Sequence, residues 1–285
     1  MVVDAKMAVR EALQSDRRQL TNLLHFETYV HRHLDWRPPL DWIGYSPFLL
    51  LEQADKIEAA LACPPDPPGV AWIRTFAISR HIASDFAWKS FWPQVQAYFA
   101  DKPEISLAAI PLHNWFRELL GSQGFSHSHE VILLNWDAAA HTSPPTPQPL
   151  EIRPMQENDL EAVASVDAQA FDPLWHNSLD ALQLAFNQAA IATVALEGGA
   201  IVGYQISTPS PSGAHLARLA VHPDQQGRGV GYALLLDLLG QASTSGFAGV
   251  TVNTQHNNPA SLSLYEKAGF TPTGESYPIY QRTIK

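Results

Sequence analysis

The 285-residue chain contains a single cysteine, Cys63. One thiol can close no internal disulfide and no thiolate metal site, which excludes a disulfide scaffold and a zinc ribbon. Charged residues make up only 16% of the chain, and cations are the scarcer sign. Residues 1–149 carry 12 bases against 16 acids, and residues 150–285 carry 6 against 12. With a net charge of -10, neither half offers the basic stripe that follows a phosphate backbone, so no nucleic-acid partner is expected. The acidic balance suits a cationic partner such as an amine, although acidic surfaces also simply keep proteins soluble. No apolar run approaches the roughly 20 residues of a membrane-spanning helix, so no membrane partner is expected. The opening MVVDAKMAVREAL has no basic-then-apolar leader pattern, and the expectation is a cytoplasmic protein, monomeric or homodimeric.

Apolar residues are plentiful, at 46%, and at roughly 100–200 residues per domain the length predicts two domains. The composition breaks at residues 138–149, AAAHTSPPTPQP, an extended and semi-rigid connection. It divides the chain into domains at 1–140 and 150–285, joined by a linker at 141–149. The two parts repeat each other weakly. Arg10 and Asp16 align with Arg153 and Asp159, WIRTFAI at 72–78 with HLARLAV at 215–221, and RELLGSQGF at 117–125 with LSLYEKAGF at 262–270. Ordered matches at a nearly constant shift indicate a duplicated domain.

In the second half, periodicity and turn residues predict strands at 150–153, 191–197, 200–207, 214–221 and 249–254, and a strand-like tail. Helices are predicted at 158–170, 179–189, 229–245 and 259–267. The fold class is α/β (α+β): two tandem domains, each a mixed, mostly antiparallel sheet flanked by helices.

Between the strand at 214–221 and the helix at 229–245 lies His222-Pro223-Asp224-Gln225-Gln226-Gly227-Arg228-Gly229-Val230-Gly231-Tyr232. Glycines at alternate positions let a backbone approach a ligand closely. The helix start that follows offers unpaired N–H groups and a positive dipole end, a natural seat for a pyrophosphate. The dinucleotide fingerprint needs a further glycine where Tyr232 stands, and the Walker loop needs Gly-Lys-Ser/Thr; neither is present.

The run Gln226-Gly227-Arg228-Gly229-Val230-Gly231 resembles the Gln/Arg-x-x-Gly-x-Gly/Ala hallmark of the GNAT acetyltransferase superfamily. Asn258-Pro259-Ala260-Ser261-Leu262-Ser263-Leu264-Tyr265, followed by Gly269-Phe270, is similar to its second hallmark and departs only at Ser261. The resemblance covers residues 150–285. It implies two GNAT-like domains and acetyl-CoA (or another acyl-CoA) as cosubstrate, with no metal. It implies that the backbone of Gly227, Arg228, Gly229, Val230, Gly231 and Tyr232, introduced by Gln226, holds the pyrophosphate. Leu219 and Val221 would accompany the pantetheine arm on a splayed strand, and Asn258 would contact that arm.

The acyl transfer needs an acid for the departing thiolate and a base for the attacking amine. The resemblance puts Tyr265 in the acid's place. Where many relatives carry a glutamate on the fourth strand this chain has His215, whose imidazole can take a proton from an ammonium. Asn253 stands where ribosomal-protein acetyltransferases of the family often place a glutamate. The acceptor pocket would lie at Phe171, Asp172, Trp175 and His176, where aromatic faces and an acid suit an amine; a hydrophobic turn is the alternative.

In the first half the positions matching Gln226, Gly229, Gly231 and Tyr265 hold Ala83, Phe86, Trp88 and Leu120. Phe86 and Trp88 would fill the space a pyrophosphate needs, and Trp88, Trp92, Val95 and Phe99 fall at helical spacing as core. The expectation is a degenerate N-terminal domain without CoA. His31-x-His33 and His127-x-His129 match no specific zinc pattern and read as solvated or hydrogen-bonded histidines. The leading function is an acetyl-CoA-dependent N-acetyltransferase acting on a small-molecule or peptide amine. A thiol-disaccharide amine is one option, and a non-catalytic acyl-CoA sensor or scaffold is the alternative.

Overall fold

The computed structural model describes residues 7–140, 150–211 and 213–284; the linker at 141–149 lies outside them. The elements in chain order are β1 (Ala8–Glu11), α1 (Arg17–Phe26), β2 (Tyr29–Arg32), β3 (Phe48–Gln53), β4 (Lys56–Ala62), β5 (Val70–Trp72), β6 (Thr75–Ile78), α2 (Ser84–Phe99), β7 (Ile105–Ala109), α3 (Asn114–Ser122) and β8 (Ser126–Asp137). After the linker come β9 (Glu151–Pro154), α4 (Leu160–Ala170), α5 (Leu179–Asn187), β10 (Ile191–Glu197), β11 (Ala200–Ser210), β12 (Gly213–Val221), α6 (Val230–Thr244), β13 (Gly249–Gln255), α7 (Pro259–Lys267) and β14 (Thr271–Ile284).

Local chemistry sets many of these limits. The Gly198-Gly199 turn between β10 and β11 has both residues at positive φ, 59° and 83°, the twist a two-residue hairpin needs. Ser178 caps α5 by accepting a hydrogen bond from the Ala181 amide at 3.1 Å, and Asn258 caps α7 by accepting from Ser261 at 3.0 Å. Each takes up one of the orphan N–H groups of a helix start.

The chain packs as two compact units that cut across the contiguous division at 1–140 and 150–285. One is His129–Tyr277; the other is Met1–Ser128 with Pro278–Lys285. The cause is strand pairing. In the first unit β7 pairs in antiparallel fashion with residues 280–284 of β14. In the second unit β13 pairs along its whole length with β8, from Gly249 opposite Asp137 to Gln255 opposite Val131. The strand that follows α3 therefore completes the second unit's sheet, and the end of the strand that follows α7 completes the first unit's.

The first unit has a five-stranded antiparallel sheet in the order β1-β3-β4-β6-β2, and β5 runs parallel to β7. Its core gathers Leu49, Phe76, Trp88, Phe91, Phe116, Leu120, Phe125 and, from β14, Ile284. Trp88, Val95 and Phe99 are buried as the helical spacing predicts. Trp92 is partly buried against the same core, and Phe86, expected to fill the space a pyrophosphate needs, is 47% exposed on the first turn of α2.

In the second unit the order is β8-β13-β12-β11-β10-β9. Leu134 and Trp136 of β8 pack with Leu235, Leu238, Val250 and Val252 in one core.

The duplication is visible atom for atom. Arg10 Nη1 and Nη2 bond Asp16 at 2.7 and 2.9 Å, and Asp16 also accepts from the Leu13 amide. Arg153 makes the same fork to Asp159 at 2.7 and 2.8 Å, and Asp159 accepts from the Gln156 amide. Each arginine thereby ties a first strand to the start of the helix that follows. The parallel registers repeat too: Val70, Ala71 and Trp72 face Ser106, Leu107 and Ala108, as Gly213, Ala214 and His215 face Gly249, Val250 and Thr251.

Candidate active site

β12 pairs with β13 only as far as Leu216, opposite Val252. Its pairing with β11 shifts register between Leu216 and Arg218, so Ala217 is an extra residue, a bulge that bends the strand. Beyond it, residues 218–221 keep β11 on one side and make no pairing with β13 on the other. A cleft of about 600 Å³ opens there, lined by Leu219, Ala220 and Val221, by the glycine loop, by Asn258, Leu264, Tyr265 and Lys267 from α7, and by Phe171, Asp172 and Trp175 from the α4–α5 loop.

Gly227 and Gly229 have φ of 73° and 87°, a conformation glycine adopts without strain. A Cβ at either would meet nothing within 4 Å, so the space over this backbone is open. Gly229 is the N-cap of α6, whose first amides and dipole end favour an anion. The Gln226 side chain donates to the Val221 carbonyl at 3.0 Å and so fastens the loop to the strand end. Asn258 spends its Oδ1 on the helix cap; its Nδ2 has no hydrogen bond among the described residues. The Lys267 ammonium lies 4.1 Å from the centre of the Tyr232 ring.

Tyr265 is buried in the cleft wall, 5% exposed. Burial pushes its phenol well above the usual range, and the positive charge of Arg218 offsets only part of this. The group therefore stays protonated at neutral pH, as a proton donor must.

The cleft collects Leu219, Val221, Gln226, Gly227, Gly229, Val230, Gly231, Tyr232, Asn258, Tyr265, Phe171 and Trp175. Three expected residues do not line it. Arg228 is exposed and turned to Glu197, at 2.9 Å, and to Gln225. The His176 amide donates to the Asp172 carbonyl at 3.2 Å, and its buried Nε2 has no hydrogen-bond partner among the described residues. His215 comes before the bulge, where β12 is still paired with β13; its Nδ1 is 2.9 Å from Thr251 Oγ1, and burial lowers its pKa. The Phe171 ring was expected to receive a substrate cation, but the protein's own Arg218 already covers it, with Cζ 3.6 Å from the ring centre.

The sequence reading missed the group that organises this wall. Arg218 Nε and Nη2 bond the fully buried Asp167 at 2.7 and 2.9 Å. Asp167 also accepts from the Tyr204 hydroxyl and from the Asn177 amide at 2.7 Å. A lone arginine inside the apolar run HLARLAV was the available signal, since a cation there must find a partner.

Residues 160–270 match the family model for the acetyltransferase (GNAT) family. Over 151 residues the chain is 30% identical to the spore coat polysaccharide biosynthesis protein SpsD of Bacillus subtilis (strain 168), across 47% of this chain and 51% of the relative. It thus spans about half the length of the curated relative it matches. A GCN5-related N-acetyltransferase from Sphaerobacter thermophilus shares the fold at a TM-score of 0.61 and 16% identity, covering 98% of this chain and 96% of that one. A tandem GNAT protein from the clavulanic acid biosynthesis pathway does so at 0.63 and 12%, covering 98% and 99%. The fold is that of a tandem GNAT protein.

Proposed function

We propose that the chain is an acetyl-CoA-dependent N-acetyltransferase that acts on a primary amine, with its site in the His129–Tyr277 unit. One observation carries this: the glycine loop, the unpaired end of β12 and the buried phenol of Tyr265 bound a single cleft. The residues fit the cofactor, since the open space over Gly227 and Gly229 is what a pyrophosphate cradle requires. The amides of residues 227–232 would hold the pyrophosphate, the backbone around Leu219 and Val221 the pantetheine arm, and Asn258 Nδ2 a carbonyl of that arm. Bound there, acetyl-CoA supplies a thioester activated toward amines.

Tyr265 Oη holds a proton within the cleft wall, ready for an anion formed there. Backbone N–H groups along the unpaired edge are suited to polarise a carbonyl. His215 does not line the cleft, so its part as proton acceptor is indirect. The curated relative is a polysaccharide biosynthesis protein, which makes the amine of a sugar the first acceptor to try.

The position of His215 outside the cleft favours a second reading, an acyl-CoA sensor without turnover. Calorimetric titration with acetyl-CoA, followed by thiol release in the presence of amino sugars and peptide amines, separates the two. Binding with steady release supports the enzyme, and binding with no release on any amine supports the sensor. Absence of binding overturns both.

A further inference from the structure

We propose that the carboxylate of Asp172 is the docking point for the ammonium of the acceptor, held at the cleft by a clamp of Asp167, Arg218 and Phe171. This rests on the amine-acetyltransferase reading of the same cleft.

Among the described residues that line the cleft, Asp172 is the single carboxylate and Lys267 the single cation. Lys267 is engaged over the Tyr232 ring. The Asp172 side chain makes no ion pair or hydrogen bond among the described residues, while its backbone is fixed: its carbonyl accepts from the amides of Trp175 at 2.8 Å and His176 at 3.2 Å. Its preceding neighbour, Phe171, lies under Arg218. On the far side of the turn, the Trp175 carbonyl accepts from Arg218 Nη2. Arg218 in turn is forked onto Asp167, in the helix that enters the loop. One guanidinium thus pins the loop on both sides of Asp172 and leaves only its carboxylate free to meet a ligand.

The pinning matters because an exposed loop acid usually gains little from an ion pair: holding two mobile groups together costs about what the Coulomb attraction returns. A carboxylate whose backbone is already ordered avoids that cost. Asp172 itself is exposed, so what the loop supplies is an ordered carboxylate beside the Phe171 and Trp175 rings that line the same cleft. The cleft therefore selects a protonated amine over a neutral isostere, and Arg218 is a positioning residue for that selection.

Glucosamine is the cationic probe and N-acetylglucosamine its uncharged control, each titrated calorimetrically into the full chain with and without CoA. The wild type should bind glucosamine and prefer it to the control by tenfold or more. Asp172→Asn should lose at least about tenfold in glucosamine affinity, Asp172→Glu should recover part of it, and Arg218→Lys and Phe171→Leu should weaken it by smaller factors. CoA affinity should stay within twofold in all four, a split that a general folding defect would not produce. Equal glucosamine binding by the wild type and Asp172→Asn overturns the proposal, as does preference for the control or no binding of glucosamine at all. Loss of CoA binding by the wild type would instead overturn the acetyltransferase reading, while the glucosamine result stands by itself.

Discussion

The two units share one register and differ at one seam. In the His129–Tyr277 unit the chain leaves α4 as a loop and forms α5, so Arg218 to Val221 of β12 remain unpaired on the side facing the cleft. In the first unit the chain leaves α1 and immediately forms β2, which pairs with β6 along the matching edge: Tyr29 opposite Ile78, Val30 opposite Ala77, His31 opposite Phe76 and Arg32 opposite Thr75. The chain's own strand therefore fills the seam that in its counterpart is open. The loop before the helix differs as well. Residues 79–83 join β6 to α2, and Ala83 caps the helix at an ordinary φ of -72°, where residues 222–229 and the left-handed Gly229 introduce α6. Related cores thus carry an open strand edge and a glycine loop in one unit, and a filled edge and a direct helix start in the other.

The exchange of terminal strands sharpens this comparison most. Trp136 precedes the linker in sequence, yet it packs with Val250 and Val252. Trp136→Ala should destabilise the His129–Tyr277 unit by about 3–5 kcal/mol, read by chemical denaturation of the full chain, and a fragment of residues 150–285 should fail to fold. A stable, soluble fragment would show that β8 is dispensable.

Next in size is the phenol. Tyr265→Phe should lower kcat about 10²–10³-fold while leaving acetyl-CoA affinity within twofold. The aligned Leu120 is fully buried in the first unit's core, so Leu120→Ala should lower stability and leave kcat of the folded protein unchanged. A reversed pattern would move the chemistry to the other unit.

Acid should separate the units too. The His31 ring is buried against Phe116, with Nε2 3.0 Å from the Ile73 carbonyl, and burial lowers its pKa from 6.5 to about 4. The unfolded chain binds the proton first as pH falls. The stability this histidine contributes is therefore complete above about pH 6.5 and declines between about 6.5 and 4, by on the order of 3 kcal/mol. His31→Gln should flatten that slope in pH-dependent denaturation, and an unchanged slope would refute the assignment.

The smallest effect concerns the paired hairpins. Where the second unit has Gly198-Gly199, the first has Ala54 and Asp55 at φ of 50° and 61°. Ala54→Gly should stabilise the chain by up to about 1 kcal/mol by relieving left-handed strain, detected as a higher denaturation midpoint.

These contrasts also mark what was legible in the sequence. The Gly198-Gly199 turn and the glycine loop act through local backbone conformation, and local residues reveal them. The strand β2 is only Tyr29–Arg32, too short for a periodicity to distinguish it from loop. The exchanged strands join residues far apart in the chain, and no local pattern records which edge a strand will choose. His215 stands before the bulge at Ala217, and no local pattern in HLARLAV marks where the strand bends. The Asp167–Arg218 clamp spans 51 positions and connects a helix to a strand, so only the fold brings its halves together.

The central claim, that the cofactor seat exists in one unit alone, is tested most directly by calorimetric titration of acetyl-CoA into the wild type, Gly231→Trp and Phe86→Ala. A Cβ at Gly231 already stands 3.4 Å from Val221 and 3.7 Å from Leu264, so an indole there must occupy the cleft. The account predicts one site per wild-type chain, none in Gly231→Trp and an unchanged site in Phe86→Ala. Two sites in the wild type, or undiminished affinity in Gly231→Trp, would contradict it.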